Sequence, residues 1–222
     1  MIVNNVTMVS GGGENHDIED ALVAGTLTEY SNDRVESVRL GAFAQVSTLT
    51  SVEFSNVNVI GTQAFQSCYS LTSVSFPACT TIGNSVFDSC SRITSENFPE
   101  ATSIGSYAFQ SCSSLTSVSF PACTTINKYA FQSCSNLTSV SLPVVTSIGS
   151  YTFRNCYNLK SLTLGASTVC TLIASNAFTS TPIGGYSTSA GAYGSIYVPA
   201  SLLASYKSSA RWIYFSSRFV GY

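Results

Sequence analysis

A repeat of constant length dominates this sequence. Isoleucine recurs every 22 residues, and each isoleucine is followed by a phenylalanine after five residues and a cysteine after eight. The residues that mark this register are Ile60, Ile82, Ile104, Ile126 and Ile148; Phe65, Phe87, Phe109, Phe131 and Phe153; and Cys68, Cys90, Cys112, Cys134 and Cys156. A unit this short cannot bury its own apolar face, so the pattern predicts a solenoid whose stacked units share one continuous core.

Each unit contains one short predicted strand. Leu71, Val74 and Phe76 have the L-x-x-L-x-L spacing of a strand with one face inward, and serines and threonines occupy the positions between them. A proline ends most of these strands because it has no N–H to continue the ladder. The rest of the unit, I-G-x-x-A-F-x-x-C, is too short for a long helix and predicts a turn with at most one helical or 3₁₀ loop.

The repeat extends beyond its five clearest units. A weaker form begins at Leu27, which gives about seven coils. In the other direction, Ile173 and Phe178 keep the five-residue offset but lie 25 residues after their counterparts in the preceding unit. We expect both residues to continue their columns across a three-residue insertion, after which the pattern ends.

The unit IGSYAFQSCSSLTSVSFPACTT, residues 104–125, resembles the leucine-rich repeat of the BspA-like bacterial surface-protein family. The resemblance extends over about residues 27–178. It implies an α/β solenoid, a right-handed leucine-rich-repeat superhelix with a parallel β-sheet face, found in surface and secreted proteins that bind host or matrix proteins. Two residues depart from the pattern: Glu96 replaces an inward valine, and Asn127 replaces the glycine after Ile126.

The open ends of a solenoid expose core and need caps. We predict three segments: a flexible N-terminal arm at 1–16, the solenoid at 17–180 with a cap helix at 17–25, and a C-terminal cap at 181–222. The C-terminal cap is expected to contain a Gly/Ser-rich loop at 181–194, a strand at 195–199 and an amphipathic helix at 200–212. The apolar residues available for packing on that helix are Leu202, Leu203, Tyr206 and Trp212.

Composition excludes several classes of partner. Charged residues make up 9% of the chain and the net charge is -2, so there is no basic field to attract nucleic acid or anionic lipid. No apolar run approaches the roughly 18 residues of a membrane-spanning helix, and no membrane insertion is expected. The N-terminus lacks the basic start and apolar run of a signal peptide.

The eight cysteines suggest disulfides or zinc, yet none has C-x-x-C spacing. A thiol repeated once per coil is better explained as a small buried hydrophobe that fills the same core position each time. His16 is the only histidine and lies in the predicted arm, where it cannot serve as the fixed base of a nucleophile pair. We therefore predict no catalytic, cofactor-binding or metal-binding residues, and no enzyme activity.

Two rows of side chains are candidates for binding. The outward positions of the strands form a flat, neutral, hydroxyl-rich face, which is suited to a protein or glycan ligand but equally typical of a solvated sheet surface. This candidate face consists of Ser73, Ser75, Ser95, Asn97, Ser117, Ser119, Ser139, Ser141, Ser161 and Thr163. The second row, Tyr107, Tyr129 and Tyr151, either shields the outer surface or forms an adhesive aromatic strip.

These observations predict a non-catalytic protein-binding or adhesion module, monomeric, whose ligand is a protein or a glycan. The family resemblance implies a cell-surface or secreted location. The alternative is an architectural spacer or receptor-binding component of a larger assembly, such as a phage or envelope structure.

Overall fold

A computed structural model of the protein describes residues 27–185 and 193–222. Every coil contributes two strands. The first set is β1 (Glu29–Ser31), β3 (Ser51–Glu53), β5 (Ser73–Ser75), β7 (Ser95–Asn97), β9 (Ser117–Ser119), β11 (Ser139–Leu142) and β13 (Ser161–Leu164). The second set is β2 (Ser37–Val38), β4 (Val59–Ile60), β6 (Thr81–Ile82), β8 (Ser103–Ile104), β10 (Thr125–Ile126), β12 (Ser147–Ile148) and β14 (Thr171–Leu172). The predicted α/β solenoid of seven coils is confirmed.

All strand pairs in the repeats are parallel, and each strand except at the junction of β7 and β9 pairs with its counterpart in the next coil. The second set forms one seven-stranded sheet that runs from β2 to β14. The sequence predicts a sheet on one face only. The additional sheet consists of two-residue strands, in which the second residue is buried and the first faces outward.

The predicted turn half of the coil contains almost no helix. Two residues in most turns have positive φ, for example Tyr107 at 62° and Ser111 at 58°. Their N–H groups donate to carbonyls of the next coil, as Tyr107 does to Lys128 and Ser111 to Gln132. The turns therefore satisfy their backbone by stacking on neighbouring coils. A 3₁₀ helix occurs in this half only at Ser175–Phe178, within the last coil of the described segment.

The core consists of stacked columns. One phenylalanine column runs through every coil with ring centroids 5.0–5.6 Å apart, and its members are Phe43, Phe65, Phe87, Phe109, Phe131, Phe153 and Phe178. A second column packs beside it and comprises Phe54, Phe76, Phe98 and Phe120. Fully burying each ring is worth about 1.5–3 kcal/mol, so neighbouring coils stabilise one another throughout the solenoid.

The glycine that follows most of the core isoleucines lies where two coils approach closely. A Cβ at Gly105 would lie 2.4 Å from the backbone carbonyl of Gly83. A larger residue at position 105 would therefore require the backbone of one coil to shift. Asn127 stands at the same repeat position. Its side-chain amide donates to the carbonyl of Ile104 at 2.9 Å, so this departure from the pattern adds a hydrogen bond between coils.

The expectation that Ile173 continues the isoleucine column is wrong. Ile148 pairs with Leu172, which is buried, whereas Ile173 is 45% exposed. The three inserted residues are divided between two places. Two of them lengthen the interval from Ile148 to Leu172, and the third lies between Leu172 and Phe178, where the 3₁₀ turn accommodates it. Phe178 does continue its column, stacked 5.6 Å from Phe153.

The C-terminal segment adds strands β15 (Ser195–Val198) and β16 (Phe219–Gly221) beside β13. Between them lie a 3₁₀ turn at Ala200–Leu202, helix α1 at Leu203–Ser208 and a 3₁₀ helix at Trp212–Arg218. The prediction of one helix over 200–212 is therefore wrong in extent, because the chain becomes extended at Ser209. The 3₁₀ helix at Trp212–Arg218 and β16 were not predicted.

This segment covers the last coil. The Trp212 indole donates to the carbonyl of Cys170 at 2.6 Å, and the Tyr206 hydroxyl accepts from the N–H of Cys170 at 2.9 Å. Arg211 donates to the carbonyl of Leu172. Backbone groups beside the open edge of β14 thus find partners in the C-terminal segment. Leu202 and Leu203 pack against the same core.

The predicted arm at 1–16, the cap helix at 17–25 and residues 186–192 of the predicted loop lie outside the described residues. Within 27–185 and 193–222, none of the helices has the length and apolarity that crossing a bilayer requires.

Candidate binding face

All ten residues of the predicted face lie on strands of the first set, with their side chains half-buried or exposed. We call this surface the strand face: the outward side chains of β5, β7, β9, β11 and β13. In β5, β9, β11 and β13 the second residue is buried and the hydroxyls on either side face outward, as Ser73 and Ser75 do beside Val74. The period-2 alternation therefore positions the face as the sequence predicts.

The structure separates the ten residues into two groups. Ser73 pairs with Ser95 and Ser75 with Asn97, in a four-stranded sheet ordered β1-β3-β5-β7. The other six belong to a five-stranded sheet, where the paired positions are Ser117, Ser139 and Ser161 in one row and Ser119, Ser141 and Thr163 in the other. Strands β7 and β9 belong to adjacent coils, yet they do not pair.

Glu96 lies at this break. It occupies the inward position of β7, where neighbouring coils carry Val74 and Val118, and its carboxylate accepts a hydrogen bond from the N–H of Ser119 at 3.3 Å. Burial raises the pKa of this carboxyl from 4.5 to about 7. A carboxylate needs polar partners, and a position that holds valine in the neighbouring coils does not supply them. The Glu96 carboxylate therefore accepts from the backbone N–H of Ser119 in the next coil.

The local spacing supports this explanation. The Phe98 and Phe120 centroids lie 6.3 Å apart, against 5.4 Å for the preceding pair in the same column. In other coils a threonine N–H donates to the threonine carbonyl one repeat earlier, but among the described residues Thr116 forms no such bond to Thr94. The gap is confined to the strand face, because the second sheet continues unbroken past it.

Two shallow concavities lie along the first set of strands and meet at β7. The first, of about 520 Å³, spans β1 to β7 and includes the carboxylates of Glu29 and Glu53. The second, of about 410 Å³, spans β7 to β13 and is lined by serine and threonine hydroxyls, valines and Glu96. Glu96 lines both.

A third concavity, of about 390 Å³, contains two aromatic residues that are not among the ten predicted residues of the face. Ser161 and Thr163 line it together with Tyr197 and Tyr222. Tyr197 pairs with Thr163 through the β13–β15 register. The alternation in Ser195–Val198 could have indicated that Tyr197 faces outward, but no local signal indicates that Tyr222 reaches the same place.

Residues 27–123 and 80–190 match the family described as the BspA type leucine rich repeat region, with six copies of the repeat. The chain belongs to the BspA-type leucine-rich-repeat family.

Solved structures of bacterial leucine-rich-repeat proteins resemble this BspA-type chain. The T. pallidum leucine rich repeat protein TpLRR is 30% identical with a TM-score of 0.59, over 61% of this chain and 69% of TpLRR. A leucine-rich repeat protein from Bacteroides ovatus is 27% identical with a TM-score of 0.58, over 62% of this chain and 40% of that one. The pneumococcal vaccine antigen PcpA shares the fold at 13% identity, with a TM-score of 0.51 over 88% of this chain and 40% of PcpA. A comparison with curated proteins gives no match.

The tyrosine row lies in the turn half of the BspA-type coil. Tyr107, Tyr129 and Tyr151 stack at 4.8 and 5.0 Å with ring planes within 6° of parallel, and all three are half-buried. The Arg154 guanidinium lies 5.4 Å from the Tyr151 ring. Because the three rings stack face to face, mainly their edges and hydroxyl groups are accessible to a binding partner.

The cysteine column of the BspA-type repeat is part of the core. Five thiols donate to the carbonyl of the phenylalanine 25 residues earlier, at 3.0–3.2 Å, as Cys90 does to Phe65 and Cys112 to Phe87. All eight cysteines are buried free thiols, which confirms the prediction. Burial raises the pKa of Cys79 and Cys123 to about 11 and that of Cys112 well above its ordinary value.

No group of three or more potential metal ligands occurs in the part of the chain that the structure describes. His16 lies outside that part.

Proposed function

We propose that this BspA-type chain is a non-catalytic module of a cell-surface or secreted protein, and that its strand face binds another protein. The observation that carries the proposal is the face itself. It consists of two parallel sheets whose outward rows are almost all hydroxyls, held at strand spacing of about 4.8 Å by a core that leaves them little freedom. A rigid surface of this kind loses little conformational entropy when a partner binds.

The chemistry of the face suits a neutral protein surface. Hydroxyls can donate and accept hydrogen bonds, so they can pair with the backbone or polar side chains of a partner. The ten residues include no charge and no large apolar side chain. Most interface energy comes from aromatic and arginine anchors, so the affinity of this face alone is expected to be modest. The absence of a basic field argues against nucleic acid, and we propose that the chain acts as a monomer.

The test is binding of the purified chain to an array of host extracellular and matrix proteins. A triple variant, Ser75→Glu, Ser119→Glu and Ser141→Glu, places three carboxylates on the strand face and is expected to abolish binding. The control carries the same three charges six residues later in the same coils, at Thr81, Thr125 and Ser147, which lie on the second sheet. It is expected to bind normally.

Binding that survives the strand-face triple variant would show that another surface is used. Absence of binding to every array protein would favour the architectural alternative, in which the partner is another subunit of the chain's own assembly. Capture of that subunit from the native assembly would then be the next measurement.

A further inference from the structure

We propose that the concavity formed by Ser161, Thr163, Tyr197 and Tyr222 is a binding site for a neutral carbohydrate. The proposal goes beyond the proposed function, because it assigns a second class of ligand to one end of the strand face. Each of the four side chains that line this site carries a hydroxyl, and the two tyrosines also carry an aromatic ring. None of the lining residues is charged.

A pyranose ring matches this combination. Its hydroxyls donate and accept hydrogen bonds as those of serine, threonine and tyrosine do. Its C–H groups form an apolar surface with partial positive charge, which is attracted to the negative face of an aromatic ring. The concavity has a volume of about 390 Å³ and is broadly open to solvent, so it would hold a sugar ring against the surface without enclosing it. The lack of a cationic side chain disfavours acidic sugars, because nothing in the site would compensate a carboxylate or sulfate.

Tyr222 is held in place although the residue is 61% exposed. Its N–H donates to the carbonyl of Val198 at 3.1 Å, and its carbonyl accepts from the N–H of Ala200 at 3.0 Å. Its hydroxyl donates to the carbonyl of Leu164 at 3.5 Å. The ring therefore spans from the end of β15 to the end of β13 while remaining open to solvent. An anchored, exposed ring is preorganised to receive a ligand.

Gly165 helps to admit the Tyr222 ring. A Cβ at this position would lie 3.3 Å from the Tyr222 hydroxyl and 2.8 Å from the carbonyl of Pro143. Tyr197 completes the site from the neighbouring strand, where its side chain is half-buried beside Thr163. The two tyrosines thus line the site together with Ser161 and Thr163.

A proline-rich peptide also binds aromatic grooves, but it presents mainly carbonyl acceptors. Such a peptide would accept hydrogen bonds from the hydroxyls of this site but would donate few to them. A sugar hydroxyl can both accept from and donate to them. The observations therefore favour the carbohydrate.

The experiment is saturation-transfer NMR on the complete chain with four neutral disaccharides: cellobiose, lactose, chitobiose and mannobiose. At least one is expected to bind, with the strongest transfer to the C–H protons of one sugar face. Tyr222→Ala and Tyr197→Ala are each expected to weaken binding at least tenfold, whereas Tyr222→Phe keeps the ring face and retains most of the affinity. The matched control is Tyr69→Ala, which removes a tyrosine of similar exposure from a turn and leaves binding unchanged.

Failure of this site and failure of the proposed function are distinguishable. The strand-face variant with glutamates at 75, 119 and 141 removes protein binding but leaves disaccharide binding intact, and Tyr222→Ala does the reverse. The proposal is overturned if no neutral disaccharide binds, or if binding survives both tyrosine variants while the fold is unchanged by circular dichroism. Preferential binding of a sialylated sugar or a proline-rich peptide at the site also overturns it.

Discussion

The Glu96 carboxylate accepts a hydrogen bond from the N–H of Ser119 at the break between β7 and β9, the two strands of adjacent coils that do not pair. A single substitution in an otherwise apolar row thus accompanies the division of the strand face into two sheets. The valines of that row, Val52, Val74, Val118 and Val140, are all buried.

Replacing Glu96 by valine is expected to join the two sheets. The change removes a partly buried carboxylate and restores the side chain that neighbouring coils carry, so the free energy of unfolding at pH 8 should rise by about 1–3 kcal/mol. Denaturant titration measures this change. Hydrogen exchange supplies an independent check, since the Thr116 amide should become as protected as that of Thr138. An unchanged Thr116 exchange rate would show that Glu96 does not cause the gap.

The stability of the chain should depend on pH through Glu96. Its pKa is raised from 4.5 to about 7, so the folded state binds the proton more tightly than the unfolded state. The stabilisation is complete below pH 4.5 and is lost as pH rises to about 7, with a total of at most about 3 kcal/mol. Glu96→Gln keeps an acceptor for Ser119 and removes the titration. The difference in unfolding free energy between wild type and this variant should follow that curve between pH 4.5 and 7; a flat difference would contradict it.

The cysteines should react only when the chain unfolds. Burial raises the pKa of Cys112 and of Cys156 well above the ordinary value, and each thiol is engaged with a carbonyl of another coil. The thiolate is the reactive species, so native chain at pH 8 should resist iodoacetamide for hours, while all eight thiols react in denaturant. Mass spectrometry counts the labelled sites. Rapid labelling of the native chain would show that the coils open far more often than the packing implies.

The phenylalanine column that contains Phe109 and the tyrosine row that contains Tyr107 should differ in their contribution to stability. Phe109 is fully buried and stacks 5.2 Å from both Phe87 and Phe131, so Phe109→Ala is expected to cost about 3–5 kcal/mol. Tyr107 is half-buried at the end of its row with φ of 62°, a conformation that asparagine adopts easily. Tyr107→Asn should therefore change stability by less than about 1 kcal/mol. Denaturant midpoints compare the two, and equal losses would mean that the tyrosine row is also part of the stabilising core.

The C-terminal segment depends on Trp212, the single tryptophan of the chain. Trp212→Phe should keep most of the apolar packing but leave the Cys170 carbonyl without its indole donor, at a cost of about 1–3 kcal/mol. Thermal unfolding followed by circular dichroism measures the loss. A variant as stable as wild type would indicate that water replaces the indole at this carbonyl.

Much of this fold follows from the repeat. The solenoid, the number of coils, the buried cysteine column and the strand-face positions of the ten hydroxyl and amide residues can all be predicted from a constant 22-residue interval. Each coil contacts mainly its neighbours, and identical spacing places identical residues in register. Period-2 alternation then determines which residues of each strand face outward.

Other features required the tertiary structure. Leu172 rather than Ile173 enters the core because the three inserted residues are divided between the segment before β14 and the 3₁₀ turn after it. No local sequence pattern specifies this division. The gap at Glu96 depends on how a carboxylate finds a donor in the next coil. Tyr222 meets Leu164 across 58 residues only because β16 adds to the sheet beside β15. A repeat determines contacts between successive units, whereas contacts that close its ends or interrupt its period depend on packing between segments distant in sequence.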